Sequence, residues 1–243
     1  MDPSTTLPPA VTLAVLAAAL THAVWNAIAH GIKDQLLAFA LIGVGGIAVA
    51  IPLIIVAAVP RSASWPYLLT SVGIHVFYVL LLMQCYRLGE FSQVYPLARG
   101  VSPLVVTVLA AVGTGLTIAA YTMADGVGVR LSHSPAGYIA WLMLLQSLCV
   151  PMFALIRRRG VVLKQPPRIL LSGLAAGALS VLAYGLVLWA QTRGALAPIA
   201  ALRETSVIFG AIIGALVFRE PFGRTRVTAT ILVVGGIMLL NIG

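Results

Sequence analysis

Charge is what this sequence has least of. Only 9% of its 243 residues are Asp, Glu, Lys or Arg, and six acids face fifteen basic residues. Soluble domains carry roughly 25% charged residues, so a soluble enzyme or binding module is excluded. Cysteine is almost as scarce, at two residues. Cys85 and Cys149 both lie inside apolar runs and read as small buried hydrophobes, a disulfide being the alternative. No Cys/His spacing resembles a zinc site, and no cofactor motif is present. The glycine clusters Gly43-Val44-Gly45-Gly46 and Gly235-Gly236 have neither the strand nor the lysine of a phosphate loop, which leaves them as faces for helix contact. The start, Met1-Asp2-Pro3-Ser4, lacks the basic region of a signal peptide, so the first apolar run is expected to stay as a helix.

What the chain has in abundance is hydrocarbon: 60% hydrophobic residues and a mean hydropathy of +1.06. Apolar runs of about 18–24 residues recur from end to end, each able to span a core of roughly 30 Å. The formal charge of +9 falls mostly in the short connections. There it orients helices and meets anionic lipid, so no nucleic-acid partner is expected. Open sheets leave unsatisfied edges in lipid, and the spans are therefore helical. The expected helices cover about 8–30, 35–59, 65–87, a fourth from near Phe91, then 135–156, 168–191, 195–218 and 225–241. The uncharged stretch 100–124 is irregular, with Gly113-Thr114-Gly115 as its only turn-like spot, and the regular pattern resumes after Asp125-Gly126.

The chain is organised around 195–218, a membrane-length segment with Arg203 and Glu204 near its middle. Charge at that depth costs several kcal/mol unless it faces a polar interior, about 3 kcal/mol on insertion scales. An earlier stretch, Val94 to Ser102, repeats it in register: Arg99 matches Arg203 and Ser102 matches Ser206. Likewise Leu20-Thr21-His22-Ala23-Val24-Trp25-Asn26 parallels Leu116-Thr117-Ile118-Ala119-Ala120-Tyr121-Thr122, and Trp65-Pro66 parallels Pro167-Arg168. Such duplication is a transporter signature. It divides the chain into a first repeat at 1–112 and a second at 113–243.

Tyr95-Pro96-Leu97-Ala98-Arg99-Gly100, Ala201-Leu202-Arg203-Glu204-Thr205-Ser206, Phe218-Arg219-Glu220-Pro221 and His22-Ala23-Val24-Trp25-Asn26 resemble the EamA family of the drug/metabolite transporter superfamily, over nearly the whole chain. The resemblance implies ten helices as two inverted five-helix repeats, a central cavity, and export or exchange of small metabolites. One departure stands out. After Val112 the first repeat lacks its closing motif and fifth helix, and the chain passes directly into Gly113-Thr114-Gly115-Leu116. The fold expected is thus an all-α polytopic membrane protein of two EamA-like repeats with eight or nine spans in place of ten. If both stumps span, the second repeat is inverted relative to the family. If they fuse into one crossing, eight spans remain and orientation survives. Loop charges satisfy the positive-inside rule either way.

The expected substrate-binding residues are Arg99, Arg203, Glu204, His22, Trp25, Asn26, Tyr95, Tyr121, Asp125, Ser102 and Ser206. The two arginines are read as lining one cavity and binding a carboxylate or phosphate bidentately. Adjacent helix residues point about 100° apart, which argues against Arg203 pairing with Glu204. Glu204 is the candidate carboxylate for proton coupling. Trp25 and Tyr121 would stack on the apolar part of the substrate, while His22, Asn26 and Asp125 complete a polar face. The plainer alternatives are interhelical hydrogen bonds and packing. Pro96, Pro103 and Pro198 are read as bending their helices. His75, Tyr78, Gln84, Tyr184, Trp189 and Gln191 are secondary candidates.

Together these residues point to a membrane transporter of small organic, amino-acid-like metabolites, working by alternating access in a bacterial inner membrane. It would need no cofactor or metal. The expected partners are a small-molecule substrate, the bilayer, protons as coupling ion and a second copy of the chain. Two other readings stand beside it: a non-transporting, internally truncated relative, and an intramembrane enzyme or flippase using His22, Asp125 and Glu204. The junction at Val112–Gly115 separates the first two, by forming a folded joint around a closed cavity or leaving a gap.

Overall fold

The computed structural model describes residues 7–88, 105–157 and 165–219. Eight α-helices and one short 3-10 turn carry these residues, and no strand occurs among them. Helix α1 covers Pro9–Gly31, α2 Gln35–Val56, α3 Trp65–Leu88, α4 Val105–Leu131, α5 Pro135–Arg157 and α6 Pro167–Gln191. The last crossing falls into two helices, α7 at Leu196–Arg203 and α8 at Ser206–Leu216. Six stretches of these residues are long and apolar enough to cross a membrane, the α7–α8 pair counting as one. At 27 residues and about 1.5 Å per residue, α4 also has the length.

Local chemistry sets the boundaries. Proline occupies the first position of α1 and α6, where its missing N–H costs no bond. Asp34 caps α2 by accepting from the Leu37 N–H at 3.2 Å, and Ser134 caps α5 by accepting from the Gly137 N–H at 3.2 Å. His133 closes α4 with a left-handed φ of 54°. Large apolar side chains such as Leu13, Leu116, Met123 and Leu171 point outward, as lipid requires, while the interior contacts rest on alanine, glycine and aromatic rings.

Two readings of the sequence give way here. Gly113-Thr114-Gly115 and Asp125-Gly126 do not interrupt anything: both lie inside continuous α4. In lipid the backbone has no water to turn to, so isolated glycines do not open a helix as they would in solution. Pro198 does not bend its helix either. It sits in the first turn of α7, where no helical bond is lost, and at Glu204-Thr205 the chain stays helical but tightens into i→i+3 bonds. The expected fourth helix from Phe91, with Tyr95, Pro96, Arg99, Ser102 and Pro103, lies outside the described residues, as does the helix expected at 225–241.

The helices alternate in direction. The Arg61 N–H donates to Ser132 O at 3.1 Å, setting the α2–α3 connection beside the α4–α5 connection. Arg130 donates from Nε to Gln191 O at 2.9 Å and from Nη2 to Gly194 O at 2.7 Å, bringing the end of α6 to the same side. At the opposite end the rings of His30 and Phe218 meet at 5.3 Å. So α3 ends and α4 begins at one end of the bundle, and α4 is the single described crossing between α3 and α5.

Packing follows a symmetric scheme. Helix α2 packs on α5, α1 on α6, and α3 on α4. Exchanging α1, α2, α3 for α4, α5, α6 reproduces the same three pairs, with each partner running the opposite way. Aligning the helix starts, Pro9 with Val105, Gln35 with Pro135 and Trp65 with Pro167, gives each residue of one triplet a counterpart in the other.

Candidate functional site

At the centre of the two triplets lies a cavity of about 80 Å³, room for several waters at roughly 10–15 Å³ each. Every helix of both triplets contributes. His22 and Trp25 come from α1, Phe39, Ile42 and Gly43 from α2, and His75, Tyr78 and Val79 from α3. Tyr121 comes from α4, Gln146, Ser147 and Val150 from α5, and Ser180 and Tyr184 from α6.

Its wall is largely aromatic. His75 stacks on Tyr121 with centroids 4.0 Å apart and planes at 26°. Tyr184 meets both edge-on, 5.1 Å from His75 and 5.9 Å from Tyr121. Across from them His22 and Trp25 form an edge-to-face pair at 5.1 Å. Such packing holds each ring in one orientation. Two lining residues keep polar atoms without protein partners: the Trp25 indole Nε1 and the Gln146 Oε1. Buried groups in that condition favour a ligand or water that completes them. The wall thus offers an unpaired donor and an unpaired acceptor beside the Ser147 and Ser180 hydroxyls and several ring faces.

A second polar group lies beside this cavity and is closed off from it. Asp125 on α4 is fully buried. Tyr138 donates its hydroxyl to Asp125 Oδ1 at 2.9 Å, and Tyr184 donates to Oδ2. Tyr184 therefore belongs to both, with its ring on the cavity and its hydroxyl on the carboxylate.

Of the residues expected to bind substrate, His22, Trp25 and Tyr121 line the cavity. Others lie elsewhere. Asn26 is buried and turns its amide back to His22 O at 2.7 Å, just as its counterpart Thr122 bonds Ile118 O at 2.6 Å. Asp125 is not a wall residue but the centre of the tyrosine cluster. Arg203, 3% exposed, does not line the cavity either. Its guanidinium lies 5.9 Å from the Tyr121 ring centre and 3.4 Å from Glu204 Oε1. That ion pair corrects the expectation against their pairing. The 100° argument concerns where the two side chains leave the helix, and long side chains can curl toward each other across that angle. Glu204 is 22% exposed, while Ser206 is buried with its hydroxyl unpartnered, as is Arg203 Nε. Arg99, Ser102 and Tyr95 lie outside the described residues.

Sequence reasoning did not single out Phe39, Gln146, Ser147, Ser180 or Tyr138. Tyr138 is 13 residues from Asp125 on the next helix, and Ser180 sits opposite Tyr78 in the helix alignment, the one signal that could have found it. Cys149 is a free thiol. Among the described residues no three His, Cys, Asp or Glu side chains gather as a metal site.

Residues 105–242 match the model of the EamA-like transporter family. A solved structure described only as a "crystal structure of protein" superimposes with a TM-score of 0.64 over 96% of both chains, at 14% sequence identity. That likeness concerns the fold alone. No curated protein matches the chain in sequence.

Proposed function

The chain belongs to the EamA-like transporter family and is an integral membrane transporter of the drug/metabolite superfamily; from that premise, we propose that the aromatic cavity is its substrate site. The occupant is a small organic metabolite with an apolar or aromatic part and at least one polar group, an amino-acid-like compound being the best fit. Trp25 and Tyr121 hold the flat or apolar part between them. Trp25 Nε1 and Gln146 Oε1 hold the polar end. Arg203 adds positive potential from beside Tyr121 instead of gripping an anion directly.

One observation carries this reading: the cavity lies between two oppositely directed helix triplets and draws residues from every helix of both. Inverted triplets around a shared midplane site are the geometry in which one half can rock against the other and expose the site to each side in turn. The same symmetry supports a division into two homologous repeats, as does a family match that begins at the first residue of α4. Unbroken α4 and a cavity that draws on all six helices of the two triplets favour a working transporter over a truncated, inactive relative. Helical spans suit a plasma membrane, and export or exchange is the direction the family relationship favours.

The test is protection from labelling. Single cysteines at Ser147 and Ser180, with Cys85 and Cys149 replaced, are labelled with a water-soluble maleimide in reconstituted protein. Amino acids and aromatic organic anions serve as protectants. Slower labelling at both sites by one compound class is the expected result. Labelling that no compound slows, or no labelling at either site, removes the cavity from consideration.

A further inference from the structure

Buried carboxylates in membrane helices need a reason, and the counterpart positions of the two triplets point to one beyond packing. In the alignment of the two triplets, Asp125 corresponds to Ala29, Tyr138 to Ala38 and Tyr184 to Leu82. All three first-triplet residues are buried and apolar, at 0%, 0% and 1% exposure. The corresponding positions therefore hold a carboxylate and two phenols in one triplet and no polar atom at all in the other. An ionisable group that the architecture does without, and that membrane insertion penalises, marks a site.

Resting on the transporter reading above, we propose that Asp125 is the proton-binding site of this protein and that Tyr184 couples its protonation to the cavity. Asp125 is reached from four other helices. Tyr138 comes from α5, Tyr184 from α6, and Ser71, itself bonded to His75 at 3.1 Å, from α3. From α7, Arg203 acts on it through its charge. An ionised carboxylate accepts from both tyrosines. Adding one proton to Oδ2 turns that oxygen into a donor, so the Tyr184 hydroxyl becomes the acceptor and its own hydrogen is freed. The hydroxyl turns to make that exchange, and the ring that carries it is part of the cavity wall. Proton uptake thus changes the shape of the face the cavity presents, and a ligand that packs better on the shifted Tyr184 ring favours the protonated carboxyl in return. Nothing else is made or broken: one proton enters from solution on one side and leaves on the other. Tyr138 bonds the far oxygen and does not line the cavity, so it tunes Asp125 without carrying the coupling.

The experiment uses full-length protein in liposomes of phosphatidylethanolamine and phosphatidylglycerol. Infrared difference spectra across a pH series read the protonated carboxyl directly. The other five acids titrate as well, so the expected result is one carboxyl component that fades with rising pH in the wild type, is lost in Asp125→Asn while the remaining components stay, and changes midpoint in Tyr138→Phe and Tyr184→Phe. The second readout is the ratio of uptake driven by an imposed pH gradient to exchange without one, using radiolabelled L-phenylalanine. Asp125→Asn and Tyr184→Phe lower that ratio at least tenfold, and Tyr138→Phe keeps it within twofold. A pH-difference spectrum that Asp125→Asn leaves unchanged overturns the proposal. So does a ratio that Tyr184→Phe leaves unchanged, and if Asp125→Asn fails to fold this variant decides the coupling. Should wild-type protein exchange no probe, the substrate reading fails and the infrared titration alone decides the proton site.

Discussion

Two interfaces of this bundle are related by exchanging its halves, yet one is shut and the other holds the cavity. Where α2 meets α6, glycines bring the backbones together. A Cβ on Gly45 would lie 2.5 Å from Leu174 O, and one on Gly177 would lie 2.3 Å from Ile42 O. Their counterparts where α5 meets α3 are Leu145 for Gly45, Gln146 for Gly46, His75 for Gly177 and Ser71 for Gly173. Side chains have replaced hydrogen atoms at each of these positions. The helices there are held apart, and two of the four replacing residues, His75 and Gln146, line the space that results. An inverted repeat gives a transporter two equivalent seams, and glycine decides which one opens.

The largest effect should come from making the closed seam like the open one. Gly177→His or Gly45→Leu forces a side chain into backbone, where nothing can rotate aside, at a cost of about 3 kcal/mol. The expected outcome is loss of the monodisperse peak on size-exclusion chromatography in detergent. A normal peak from either variant would mean that the α2–α6 seam is not closed by its glycines.

The next effect is the difference between disturbing the carboxylate cluster and deleting it. Asp125→Ala leaves two buried phenols unpaired and should lower the unfolding free energy, measured by SDS titration, by about 2 kcal/mol. Adding Tyr138→Phe and Tyr184→Phe removes the orphaned hydroxyls and should restore at least half of that loss. The first triplet, with Ala29, Ala38 and Leu82 in these places, is the built-in precedent. A triple variant less stable than the single one would make the cluster a structural requirement.

A smaller effect on stability, with a larger one on function, comes from Ser180→Tyr. Tyr78 is its counterpart on α3, so the change makes the two helices alike at a lining position. The new ring occupies the cavity. Maleimide labelling at a Ser147 cysteine should fall several-fold while the unfolding free energy changes by about 1 kcal/mol or less. Undiminished labelling would place Ser180 away from the accessible space.

Much of this was legible in sequence, and the limits follow from physics. The expected helix starts near 8, 35, 65 and 168 fall within a residue or so of the observed ones, because Pro9, Asp34, Pro66 and Pro167 act locally, through caps and first-turn geometry. The pairing of Trp25 with Tyr121 was readable because duplication leaves a register in the text. What could not be read was tertiary. Tyr184 meets Asp125 across 59 residues, and no pattern announces such a pair. Nor could the tightening after Arg203 be seen, since Glu204-Thr205 holds neither glycine nor proline, while Gly113-Thr114-Gly115 looked like a break and is helix. Breaker residues are calibrated on chains in water, and the bilayer changes what each costs.

The smallest predicted effect concerns a pair of counterparts at the water-facing ends. Arg130 corresponds to Asp34, and each satisfies helix-terminal groups in opposite ways. Asp34 accepts from the Leu37 N–H at the start of its own neighbour α2. Arg130 donates to the carbonyls of Gln191 and Gly194, at the end of α6. Both charges complement a helix dipole, the acid at an N-terminus and the base at a C-terminus. Alanine at either position should cost about 1 kcal/mol. The Arg130→Ala loss should fall more steeply as salt is raised, because half of its clamp is exposed and screened. Equal salt dependence for the two variants would show that the clamp works through its hydrogen bonds and not its charge.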